Sequence, residues 1–278
     1  MNDPILMTAD PMNREASAAV VGGAFASLSA ADLASAERAV TNPELPVMRR
    51  TARRLDRLRE SDRQAGIHDL TDIVLDDALM TLHLLGDAAD AGATTPKIES
   101  VTAALVMIGV EPFFARYVDL PVAEDRLQAI PAALAEYERL NRVAARAARL
   151  AGAFSGAAND PDVPAIYLAA LLHAAPRLML CVHAPALAVR FRGVPCQKQL
   201  AAKVMARWHL PAHMVTLIGG NEERMDPQMH RVRLAVDFAH ALESGWSCPD
   251  LPNLLRELSV LLGLSLARAR QLVKEVRV

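Results

Sequence analysis

Apolar positions recur with a helical period along most of this chain. After Ser29, a good N-cap, residues 31–40 predict a short helix. NPELPVM (42–48) is a proline-bounded lead-in. In RRTARRLDRLRE (49–60), Met48, Ala52, Leu55 and Leu58 fall at helical spacing and arginines cover the remaining surface. That run reads as a solvated helix face, with phosphate binding as the sharper alternative. Residues 67–92 predict two helices, the first with Leu70, Ile73 and Val74 inward. Asp76 is the expected N-cap of the second, whose apolar positions are Leu79, Leu82 and Leu85. His68, Asp69, Asp72, Asp76 and Asp77 look like a metal cluster on paper. As caps and first-turn acids they suit the helix dipole, which is the preferred reading. Ile98, Val101, Leu105 and Ile108 predict a helix that Gly109 stops, with Glu111-Pro112 starting the next.

Pro131 opens a long helix to about Phe154, with Leu134, Tyr137, Leu140, Ala144, Ala148 and Ala151 as its apolar stripe. Asn141 falls on that stripe and needs hydrogen-bond partners. SGAANDPDVP (155–164) reads as a loop. An apolar helix follows to Leu172 or His173, and Ala175-Pro176 separates it from another ending at His183. Residues 197–220 read as helix, Leu-Pro turn, helix; residues 231–246 are helical; residues 251–276 are two helices about Gly263. No alternating run is flanked by hairpin turns, and no solenoid period is present. The fold class is all-α. The expected division is a flexible arm and short helix over 1–38, a helical domain over 39–245, and a C-terminal helical pair over 246–278. The domain divides into lobes at about 39–130 and 131–245.

Composition adds limits. Apolar residues are 52% and aromatics 4%, so Ala, Leu and Val carry a core of closely packed helices. A net charge of −2 implies no global pull toward nucleic acid or anionic membrane. Cys181, Cys196 and Cys248 are an odd number without CxxC spacing, which suits a reducing cytosol. The N-terminus has no basic region followed by an apolar one, so no secretory signal is expected. Residues 162–181 come nearest to a membrane span, but Pro164, His173, Pro176 and Arg177 interrupt them. A cytoplasmic protein is expected.

Several pieces carry a family resemblance. NPELPVM resembles the Leu-Pro lead-in of HDOD domains, the degenerate relatives of HD phosphohydrolases. DIVLDDALMTLHLLGDAADAG resembles that family's two helices around Asp-Pro followed by Leu-x-x-x-Asn-Ser. Here those steps are Asp76-Asp77 and Asp87-Ala88. SVTAALVMIGVEPFFARYV resembles its Ala-Ile-x-x-Leu-Gly helix and the turn after it. LAALLHAAPRLML resembles Gly-Leu-Leu-His-Asp-Ile-Gly, and VMARWHLPAHMVTLI resembles the Trp-x-Leu-Pro turn. The pieces keep the family's order over roughly residues 40–240.

The resemblance also shows what is missing. Where an active HD enzyme starts its ligand set with histidine, this chain has Asn141. The His-Asp pair is His173-Ala174, and a methyl group cannot bind a metal. The paired histidines correspond to Asn221-Glu222, and Asp237 stands at the last ligand position. Two ligands do not make a catalytic site, since even zinc sites use three protein ligands plus water. We therefore expect no catalytic residues, no metal and no cofactor. His173 is expected to be a core histidine, bonded to a carbonyl or to Asn141. The resemblance implies a non-enzymatic regulatory module of bacterial signalling, with a protein partner supplied in trans. The alternatives are a metal-dependent phosphohydrolase with an atypical ligand set, and a sensor whose vacated site binds a nucleotide ligand without hydrolysing it.

Other candidates are weaker. Pro211 lies between His209 and His213, so they flank a helix start and do not share a face. His230 and His240 suggest no constellation. The C-terminal pair has the outline of a helix-turn-helix with Arg268, Arg270, Lys274 and Arg277 on its second helix. Leu264, Leu266 and Leu272 are expected to be committed to packing there, and nucleic acid is not the expected partner.

Overall fold

The computed structural model describes residues 29–61, 66–91, 100–117, 119–190, 198–219 and 226–276. The expected arm falls almost wholly outside these residues, as do Cys196, Asn221 and Glu222. Among the described residues the protein is all-α. Its extended pairing is a single parallel bridge between Val47 and Val122.

The first helix, α1 (Ala30–Val40), starts as predicted: the Ser29 hydroxyl accepts the Asp32 N–H, and Asp32 returns the bond in a capping box. The lead-in that follows is buried from Leu45 to Met48. The Val47 N–H donates to the Pro121 carbonyl, and the Ala123 N–H donates to the Val47 carbonyl, both at 2.9 Å. The arginine-rich α2 (Arg49–Glu60) then packs Leu55 inward.

Helices α3 (Ile67–Val74) and α4 (Ala78–Ala91) have the expected apolar faces. The cap between them differs from the expectation. Asp77, not Asp76, caps α4: its Oδ1 accepts the N–H groups of Leu79 at 3.1 Å and Met80 at 3.2 Å. Its Oδ2 accepts the Met48 N–H at 2.7 Å. Asp77 is completely buried, and burial raises its pKa against those hydrogen bonds. Asp76 turns outward and pairs with Arg54 at 2.6 Å and Arg149 at 3.1 Å. One carboxylate thus ties the lead-in to α4, and its neighbour ties α2 to the long helix. Local spacing cannot tell adjacent aspartates apart when distant backbone decides which one turns inward.

Gly109, at φ 86°, separates α5 (Val101–Ile108) from α6 (Val110–Tyr117), which begins one residue before the expected Glu111-Pro112. The short α7 (Ala123–Leu127) leads to α8 (Pro131–Ala157), the longest helix, which runs three residues past Phe154. Its buried stripe runs from Ala133 to Ser155 and forms the axis of the structure. Helices α9 (Val163–Leu172), α10 (Ala175–His183) and α14 (Pro227–Ala241) pack on it. The turn before α9 is pinned from α14, where Arg231 and Gln228 both reach Asp160. The apolar run Val163–His183 has the length and composition of a membrane span, but 78% of its most apolar window is buried in the protein.

Helix α11 (Pro185–Arg190) precedes α12 (Lys198–Arg207) and α13 (Ala212–Gly219). Trp208, in the turn between those two, packs edge-on against His83 of α4 at 5.5 Å. Gly86 permits that approach, because a Cβ there would lie 2.5 Å from the indole. Asp87 holds the same junction by accepting the Tyr117 hydroxyl and lying 3.5 Å from Arg116. His209 bonds Asp90 at 2.6 Å in a left-handed turn, so it does not share a face with His213.

The C-terminal pair is α15 (Leu251–Leu262) and α16 (Leu266–Glu275), joined through Gly263 at φ 62°. Leu266 is exposed, contrary to expectation; Ala269 and Val273 provide the buried face instead. Arg270 and Lys274 lie over the Trp246 ring, and Arg268 pairs with Glu275. Much of the basic surface that suggested DNA recognition is therefore used within the protein. One buried cluster runs from Ala36 to Val273, across the boundary at 130–131 expected between lobes.

Gly86→Ala should overpack the Trp208 junction and lower stability by about 1–3 kcal/mol. Urea unfolding of the variant checks this.

Candidate functional site

Among the described residues, the positions singled out in sequence lie on α8, at the α9–α10 bend and on α14, and they do not form one ligand set. Asn141 is buried, and its Nδ2 donates to the Tyr137 carbonyl at 3.0 Å. Its Oδ1 and the Tyr137 hydroxyl are both buried and interact with each other, and among the described residues neither has another hydrogen-bond partner. Ala174 is buried at the start of α10.

His173, at the C-terminal end of α9, departs from the expected core histidine. Its side chain is exposed and makes no hydrogen bond among the described residues, neither to a carbonyl nor to Asn141. The α9–α10 bend turns the ring outward while its neighbours Leu172 and Ala174 go inward. Solvent reaches the ring, yet protein surrounds the position; this lowers its pKa, and nearby His240 adds to the effect.

Asp237 lies on α14 with an exposed carboxylate 3.9 Å from Arg233. Its other charged neighbours are His230 on the same helix and Glu257 of α15. The surrounding protein raises its pKa to about 6, with Arg233 opposing the rise. Among the described residues, no group of three or more histidine, cysteine, aspartate or glutamate side chains converges as a metal site.

A different cluster has formed behind His173. Glu136 on α8 is completely buried. It accepts two hydrogen bonds from Arg139, each at 2.8 Å, and one from Arg177 of α10 at 2.9 Å. Arg139 continues to Glu243 at 2.5 Å, and Glu243 lies 3.5 Å from His240. The carboxylates raise the pKa of Arg139 and hold it charged. Burial, followed by the Glu136 charge, pushes the neighbouring Cys181 thiol up to about 12, so it is not a nucleophile at neutral pH. The sequence carried one local sign of this knot, an acidic residue beside Tyr137 on the inward stripe with arginine three residues later. Nothing local pointed to Arg177 or Glu243, which lie 41 and 104 residues away from their partners.

The HDOD domain matches residues 45–193, more than half of the chain, and the protein belongs to that family. It is similar in fold to the MmoQ response regulator from Methylococcus capsulatus str. Bath. The two share 19% identity at a TM-score of 0.67, over 83% of this chain and 98% of the other. No curated protein matches it.

Two outcomes are expected. Glu136→Gln removes the buried anion that Arg139 and Arg177 share, leaving Arg139 with Glu243, and should cost about 3 kcal/mol in urea unfolding. Asp237 has a folded pKa of about 6, above its ordinary 3.8. In that window the native state holds a proton that the unfolded state releases, so stability falls as pH rises through it. Asp237→Asn should flatten that slope, measured by urea unfolding at a series of pH values.

Proposed function

We propose that this protein is a non-enzymatic regulatory module of bacterial signal transduction, acting in the cytoplasm through a protein partner supplied in trans. The observation that carries this reading is Ala174, a buried methyl following His173 on an HDOD frame. Metal-assisted phosphate hydrolysis needs several imidazoles and carboxylates on one or two metals to activate water and neutralise charge. At the corresponding positions among the described residues this chain offers an amide, an imidazole without a hydrogen bond, a methyl group, and a carboxylate beside Arg233. The helices that would carry ligands are held instead by the Glu136 knot, which keeps the frame without a metal. Likeness of fold to a chain described as a response regulator supports a signalling role.

The test is metal content of the purified protein by elemental mass spectrometry after incubation with manganese, iron and zinc, together with turnover of a chromogenic phosphodiester. No stoichiometric metal and no turnover are expected. Tightly held metal that is lost in His173→Ala or Asp237→Ala, with turnover lost in parallel, would make the protein a hydrolase.

A further inference from the structure

We propose that the groove between α2 and α8 is a binding site for a phosphorylated small molecule of the nucleotide class, separate from the HD-like positions around His173. Arg49, Arg50, Arg53, Arg54 and Arg57 line a groove of about 570 Å³, with Glu124, Gln128, Leu134 and Glu138 also in its walls. That size lies within the range of small-molecule pockets, roughly 300–1,000 Å³.

Among the described residues, carboxylates match only some of these arginines. Arg49 pairs with Asp125 at 2.7 Å, and Arg54 shares Asp76 with Arg149. Arg50 donates to the Asp76 carbonyl at 2.7 Å and has no carboxylate ion pair among the described residues. Arg53 and Arg57 are exposed and have no carboxylate partner among the described residues; Arg57 donates to the Arg53 carbonyl. On α8, Arg142 and Arg146 stand one and two turns beyond Glu138, on the way to Arg149, and they too have no carboxylate partner among the described residues.

Helix physics works against this arrangement in the absence of an anion. Like charges three and four residues apart destabilise a helix. Arg49 and Arg50 sit at the N-terminus of α2, which carries no acidic residue in its first turn and no side-chain cap from Met48. Positive charge there opposes the macrodipole. The Glu124 carboxylate accepts the Arg49 N–H at 2.8 Å and relieves part of this. The rest of the positive potential faces the groove. Guanidinium forks match phosphate oxygens in bidentate pairs. Glu138 has no ion pair among the described residues, and its charge opposes a bare phosphate. With Gln128 it supplies acceptors for hydroxyl or amino groups, which favours a phosphate ester over inorganic phosphate.

The test uses the full chain, with ATP and inorganic triphosphate as probes in isothermal titration calorimetry at low salt. ATP should bind, and more tightly than triphosphate. The double variant R53Q/R57Q should lose about tenfold or more in ATP affinity, since each charge-assisted bond is worth more than 1 kcal/mol. It should keep its helical circular dichroism, because neither side chain has a carboxylate partner. His173→Ala should bind ATP like the parent. Absence of ATP binding, equal affinity in R53Q/R57Q, or loss in His173→Ala would overturn the assignment. Preference for a DNA duplex over ATP would overturn the small-ligand form. None of these results bears on the metal content that tests the regulatory reading.

Discussion

The structure depends on a carboxylate sealed inside the protein. Glu136 sits inside the protein on the face of α8 that meets α10, and a buried charge is tolerated only when it is paired and hydrogen-bonded. Arg139 and Arg177 supply that pairing, one from its own helix and one from α10. Arg139 passes the link to Glu243, just past the end of α14. Three helices are thereby tied at one point. The bend between α9 and α10, which turns His173 outward, lies next to that point in sequence. Apolar packing on α8 would allow those helices to slide by small amounts, whereas directional bonds to one carboxylate do not.

An HD hydrolase would tie helices by metal ligands. Here the corresponding positions hold Asn141, His173, Ala174 and Asp237, with Asn221 and Glu222 outside the described residues, and the ionic knot joins α8 to α10 beside the His173 bend. The frame is thus held by contacts that need no ion. Among the described residues His173 is exposed and makes no hydrogen bond, and the buried Asn141 oxygen faces the buried Tyr137 hydroxyl. The overall charge of −2 gives no hint of the arginines gathered along α2, because a sum over the chain hides how charge is distributed.

The helices were legible in the sequence because their signals are local. Ser29, Gly109, Pro131, the Ala175-Pro176 break and Gly263 mark ends that the structure reproduces to within about a turn. The family was legible from the order of the pieces. What escaped was set by distance along the chain. Whether Asp76 or Asp77 turns inward depends on the Met48 N–H and on Arg54 and Arg149. Whether Leu266 is packed depends on how α16 is rolled on its neighbours. The expected core position of His173 failed because a residue at the end of an apolar helix can leave the core at the bend, and periodicity does not show where the bend points. The knot itself joins residues from three separated segments, and no spacing rule reaches across them.

The most direct measurement is a double-mutant cycle between Glu136→Gln and Arg177→Met, read as unfolding free energies in urea. If the buried pair holds α8 to α10, the two effects should be strongly non-additive, with a coupling of about 2 kcal/mol or more. Additive losses would mean that the helices are held by apolar packing alone, and that the Glu136 knot does not fix the frame around His173.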